Sequence, residues 1–454
     1  MRGRRRITRG GSSRQKDLIL PDEVFVIDEE IAHLTRLRSE PSDKMRKVIR
    51  TGRKMPISIF KMLSGRESNC SGMGRFSLSD RSYLLGQYVP HKGPCCVDSM
   101  DSEAYVSQFS LDGSLFVAGF RGSQIKIYDV VNGWKVQKDI SARSLRWTIT
   151  DTSLSPDQRY LVYSSLSPVV HLVNVQNAAK ESRANVTDIH EGLDFTDYAE
   201  DEELSFGIFS VKFSTDGREL VAGSNNESIY IYDLEASKLA LRFPAHTADV
   251  NAVTFADETG HLIFSGSDDS LCKVWDRRCF TKGKPAGVLA GHLHGITFID
   301  SRRDGRYFIS NGKDQTIKLW DIRRMSSTIK FSLPKTFEWD YRWMLYPAEA
   351  RFLQHTHDQS LATFRGHSVL RTLIRCYFSP AHSTGQRYIY TGSSDKCVYI
   401  YDVVKGNIVA RLSWHGSIIR DCSWHPEIPV LVSSSWDGYI AKWDASGYDA
   451  DLAV

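Results

Sequence analysis

At 454 residues, 41% hydrophobic and 25% charged, the chain has a globular composition and the length for a large core or several domains. A net charge of +4 is too small to mark a nucleic-acid binder by itself. No apolar run approaches the roughly 20 residues that span a bilayer, and the basic N-terminus lacks the apolar segment of a secretory signal.

Residues 1–16 hold seven Lys/Arg and no acid, and read as a disordered basic tail. Residues 17–80 read as a helical arm. Ile27, Ile31, Leu34 and Leu37 share one helical face. Asp28 suits the N-cap, Glu29 and Glu30 the positive helix start, and Arg36 and Arg38 its end. A second stripe, Met45, Val48 and Ile49, follows Pro41-Ser42, and Pro56 opens a third run, Ile57 to Leu63. Such helices either pack on the rest of the chain or dock into a partner's groove.

From residue 81 to 447 one unit recurs. An apolar strand, an S-x-D-G or S-P turn, a second strand, a polar turn and a third strand ending aromatic-Asp make one copy. Seven copies end at residues 129, 174, 233, 276, 321, 402 and 444, with spacings of 45, 59, 43, 45, 81 and 42. Four of the six match a four-stranded propeller blade. The long gaps hold inserts at 176–207 and 325–366, and residues 448–454 form a tail. Residues 180–203 carry nine Asp/Glu against two basic residues, as a solvated loop or a charge offered to a basic partner. The fold expected is all-β, a seven-bladed propeller with an N-terminal helical arm. A strand from residues 82–90, SYLLGQYVP, is expected to complete the last blade. The eight cysteines contain no C-x-x-C pair and read as reduced thiols.

His246, His292, His367 and His415 precede the first strands of their copies. His246, Ser265, Asp269 and Trp275 recur in the next copy as His292, Ser310, Asp314 and Trp320. His, Ser and Asp together suggest a hydrolase, but a catalytic site is used once, whereas this set repeats. A buried polar network locking each blade explains the repetition. Copies one to three lack it, with Gly122 and Asn226 where the Asp belongs, and should be the softer side of the ring. His355, His357 and Asp358 lack a fourth metal ligand and read as a polar loop. Phe337, Trp339, Tyr341, Trp343 and Tyr346 read as insert core or as a recognition surface. Nothing implies a metal or cofactor.

Two adjacent copies end Trp-Asp-x-Arg, which should place Arg277, Arg278, Arg323 and Arg324 side by side on one face. Guanidinium groups there suit bidentate capture of carboxylates. The Trp-Asp pairs 275–276, 320–321 and 443–444, with Tyr-Asp variants at 128–129, 232–233 and 401–402, make the chain resemble WD-repeat proteins. Copy two departs most, with Val173-Asn174. A sixteen-residue box ending Trp-Asp-x-Arg resembles that of substrate receptors of cullin-4 ubiquitin ligases, which are held by the damaged-DNA-binding adaptor. It occurs from Ile263 to Arg278, with Ser265, Asp268, Trp275 and Asp276. It recurs from Phe308 to Arg323, where Lys313 replaces the preferred Asp. The whole chain is similar to cullin-4-associated factors of the eleventh type and their plant relatives, including the DEEIAHLTRLR helix and the acidic insert.

The resemblance implies a non-catalytic substrate receptor, in nucleus or cytoplasm. It implies that Arg277, Arg278, Arg323 and Arg324 bind the adaptor and that Ile31, Leu34 and Leu37 insert into it. It also implies an unidentified protein target held on another surface, expected to be the opposite face with the 325–366 insert. The rival reading is a WD-repeat scaffold in chromatin or RNA processing, whose arginine tail contacts nucleic acid.

Overall fold

Tight turns such as Ser110–Gly113, closed by the Gly113 N–H on the Ser110 carbonyl at 3.0 Å, return each apolar strand beside its predecessor. The computed structural model describes residues 25, 27–41, 57–69, 72, 74–175, 190–196, 206–279, 284–327 and 339–445. The expected basic tail, the stripe Met45/Val48/Ile49, the acids Asp197 and Glu200–Glu203, Phe337 and the tail 448–454 lie outside the described residues. Among the described residues the strands form seven four-stranded antiparallel sheets. This is the seven-bladed propeller.

Each sheet's first strand lines the central channel, and apolar residues fill the spaces between blades. Phe264 of blade four stacks on Phe308 of blade five at 4.5 Å, and both are fully buried. First and third strands run the same way in every blade. The turn after the first strand and the segment after the third therefore leave on one face of the disc, here called the arginine face. The turn after the second strand and the link to the next blade lie on the opposite face.

The ring closes differently from expectation. Residues 82–90 are not a strand: Leu78–Gly86 is a helix, α3, started by a capping box between Ser77 and Asp80. The closing strand is β1, Lys92–Ser99, which pairs with Tyr439–Asp444 and supplies the last blade's outer strand. Two earlier helices, α1 (Glu29–Ser39) and α2 (Ile59–Glu67), complete the described arm.

The polar sets hold the later blades. In blade five Asp314 accepts from His292 Nδ1 at 3.0 Å, Ser310 Oγ donates to His292 Nε2 at 2.6 Å, and Trp320 Nε1 donates to Ser310 Oγ at 2.7 Å. Blade four repeats this with His246–Asp269 at 2.8 Å, His246–Ser265 at 2.7 Å and Trp275–Ser265 at 2.8 Å. Burial lowers the His246 pKa and opposes charge on Asp269, yet the imidazole and Lys273 hold that carboxyl below its ordinary value. Blade seven uses His415, Asp437, Ser433 and Trp443 in the same way. Blade six departs: His367 bonds Tyr401 Oη at 3.1 Å and Asn311 of blade five at 2.9 Å. In blade three Asn226 takes the missing Asp's place, accepting from Ser224 Oγ and donating to Tyr230 Oη.

Candidate partner-binding surface

The two Trp-Asp-x-Arg ends fold as short turns, Arg277–Cys279 and Ile322–Arg324. Each box Asp grips the arginine two residues on. Asp276 accepts from the Arg278 backbone N–H at 3.0 Å and from Arg278 Nε and Nη2 at 3.0 and 2.8 Å. These bonds lower the Asp276 pKa and raise that of the guanidinium. Asp321 holds Arg323 likewise, through its backbone N–H at 3.0 Å and Nη2 at 3.1 Å. Arg278 and Arg323 keep 60% and 57% of their side chains exposed on the arginine face.

The other two arginines part company with them. Arg277 turns aside to a bidentate pair with Glu219 of blade three at 2.6 and 2.8 Å. It ties two blades together instead of standing beside Arg278. Arg324 Nη2 binds Asp28 on the arm at 2.9 Å. The four arginines do not stand free side by side, as the spacing predicts: Glu219 of blade three draws Arg277 aside, and the arm's Asp28 and Glu30 pair with Arg324 and Arg323.

The arm meets the same face. Arg323 Nη2 and Arg306 Nη1 each reach Glu30 at 2.5 Å, and Arg306 also pairs with Asp321 at 2.8 Å. Asp28 caps α1 by accepting from Glu30 N at 2.9 Å, which sets both acids at the helix start facing the arginines. Behind them Ile31 is fully buried in the cluster that holds Phe308 and Trp320, with Phe25, Ile27 and Leu34 packed against it. Buried Arg302 donates to Thr35 Oγ1 at 3.2 Å. A Cβ on Gly385 would meet the Arg38 carbonyl at 2.6 Å, and one on Gly406 would meet the Phe25 ring at 2.2 Å. Both glycines have positive φ, so the arm lies in a seat that only glycine leaves open. Of the three residues expected to insert into the adaptor, Ile31 is turned inward, Leu34 is half-buried and Leu37 is 57% exposed. The buried face of α1 is Ile31, Ala32, Thr35 and Ser39, a rotation away from the stripe read in the sequence.

On the opposite face the insert returns over blades four to six. The Trp339 and Tyr346 rings pack on His294 at 5.0 and 6.0 Å, and Tyr341 lies under Lys313 Nζ at 4.0 Å. Trp343 stays 85% exposed and Leu345 83%. Within the aromatic set, core and surface divide residue by residue. His355 Nδ1 accepts from the His357 backbone, and Asp358 pairs with Lys318.

Residues 203–233, 237–276, 283–321, 358–402 and 406–444 match the family model described as WD domain, G-beta repeat, which spans blades three to seven. The chain is 65% identical to the LEC14B homolog of Prunus armeniaca, over 94% of this chain and 90% of that protein. It is 61% identical to the LEC14B protein of Lithospermum erythrorhizon, over 96% and 93%. It is 34% identical to the DDB1- and CUL4-associated factor 11 homolog of Caenorhabditis briggsae, over 80% of this chain and 67% of that protein.

Proposed function

We propose that this chain, which belongs to the WD-repeat family of the LEC14B proteins and the DDB1- and CUL4-associated factor 11 homologues, is the substrate receptor of a cullin-4 ubiquitin ligase. The relative named for association with DDB1 and CUL4 carries this reading. The exposed Arg278 and Arg323 support it, since guanidinium groups braced by Asp276 and Asp321 and still more than half exposed suit acidic groups on an adaptor. Leu37, on the outer side of α1, adds an apolar contact near them. The chain itself performs no chemistry. It holds a target on the opposite face, where Trp343 and Leu345 are exposed, and so raises the target's local concentration beside the attached ligase, in nucleus or cytoplasm.

The test is a pull-down of the full chain from plant extract, scored for DDB1 and cullin-4. Recovery of both, lost in the Arg278→Ala/Arg323→Ala double variant, is the expected result. Salt-sensitive recovery of RNA with no DDB1 sinks the ligase reading in favour of a nucleic-acid scaffold.

A further inference from the structure

Beneath the turns of the arginine face the channel widens into a cup of about 650 Å³. Its floor is an ion network that crosses the channel. Arg375 of blade six reaches Asp151 of blade two at 2.9 Å and Asp421 of blade seven at 3.4 Å, and Lys212 meets Asp151 at 2.8 Å. Buried Arg420, which shares the Thr150 carbonyl with Arg375, gives this floor three cations against two carboxylates.

On the wall Asp300, between Ile299 and Ser301 of blade five, accepts from the Phe378 N–H at 2.8 Å and is also favoured by the Ser301 N–H, and among the described residues it makes no ion pair. Burial holds its carboxyl up to about 6, although Arg303 and Lys212 stand close enough to favour the charged form. Asp300 is thus a half-buried carboxylate whose nearest cations, Arg303 and Lys212, stay beyond ion-pair distance, which leaves room beside it for one more positive group. At the mouth Asp216, Asp257 and Glu258 make no ion pair among the described residues and outnumber one exposed cation, Arg303, and Leu111 is 58% exposed.

We propose that this cup receives a lysine or arginine side chain presented by a loop of a partner protein, with Asp300 as its counter-ion. The mouth favours a protein loop over a free cation. It opens on the disc face that also exposes Arg278 and Arg323, so a basic finger would cross an acidic rim and rest its backbone against Leu111. The inference stands apart from the ligase reading and holds for any partner on this face.

The experiment titrates labelled tetrapeptides carrying one central arginine, lysine, citrulline or norleucine against the full chain, with no adaptor present. The charged peptides should bind at least tenfold tighter than the neutral pair, and Asp300→Asn should remove that preference. A benzophenone-bearing arginine peptide should label the turns around Leu111 and Asp216, which keeps the test decisive if Asp300→Asn fails to fold. Equal binding of arginine and citrulline peptides, labelling elsewhere, or an unchanged preference in Asp300→Asn overturns the proposal. Saturable binding of spermidine with no peptide binding overturns the protein-loop source.

Discussion

Ser310 is used from two sides: its oxygen accepts from Trp320 and its proton goes to His292. Ser310→Ala strands two buried partners and should cost roughly 2–4 kcal/mol in chemical denaturation. Ser224→Ala in blade three, where no Trp depends on the hydroxyl, should cost about half as much. This contrast was legible in the sequence, because the His, Ser, Asp and Trp sit at offsets fixed by turn geometry and the gaps at Gly122 and Asn226 were visible. His367 was not, since its partner Asn311 lies in another blade. Burial holds the His367 pKa down to about 4. The unfolded chain would protonate it near the ordinary value of ~6.5. Between these values the unfolded state binds more protons, so this stabilisation is complete above ~6.5 and is lost as pH falls towards 4. Asp300 runs the other way: its raised pKa favours the folded state at low pH, and that gain fades as pH rises through about 6. Unfolding midpoints from pH 4 to 7 should therefore slope less steeply in His367→Asn and more steeply in Asp300→Asn.

At the scale of elements, the arm shows what periodicity can and cannot say. The stripe through Ile31 and the cap at Asp28 gave α1, but which side packs depends on a seat some 350 residues away in sequence, around Gln386 and Gly385. For residues 82–90 the need to complete the last blade suggested a strand, while the local signal was Ser77 with Asp80, a capping box that starts α3. The seat makes separate predictions for its two parts. Ile31→Ala removes a fully buried side chain and should cost about 2–5 kcal/mol. Glu30→Gln should cost under about 1 kcal/mol, since Glu30 is exposed. It should nonetheless speed amide exchange in α1 and free the tip of Arg323. If Arg323 serves a partner, Glu30→Gln binds DDB1 more tightly than the native chain. Weaker binding would mean that the partner reads Glu30 and Arg323 as one surface.

Over the whole molecule, the 42–45-residue spacing disclosed seven blades, but of the two devices that hold the ring together the ion network was not legible and the closing strand was expected at 82–90 instead of 92–99. Both join residues remote in sequence. Arg375 bonds the Thr150 carbonyl 225 residues away and pairs with Asp151 across the channel. Arg375→Met would leave buried carboxylates short of a partner and should cost about 3–5 kcal/mol. The other device is β1, whose sequence KGPCCVDS alternates too little to be read as a strand and whose residues are exposed or half-buried. It is nevertheless the last blade's outer strand, and among the described residues it alone joins an early segment of the chain to the last strand in one sheet. Two truncations separate its role from the arm's. Removing residues 1–91 takes away the arm and keeps β1; the ring should still unfold in one cooperative step, at a lower temperature, because only a docked layer is gone. Removing residues 1–99 also deletes β1 and bares the edge of Tyr439–Asp444, an unpaired strand with Trp443 behind it. That chain should lose cooperativity and aggregate. Calorimetry with light scattering compares the two, and equal, monomeric, cooperative transitions would show that closure rests on the contacts between blades and not on the shared sheet.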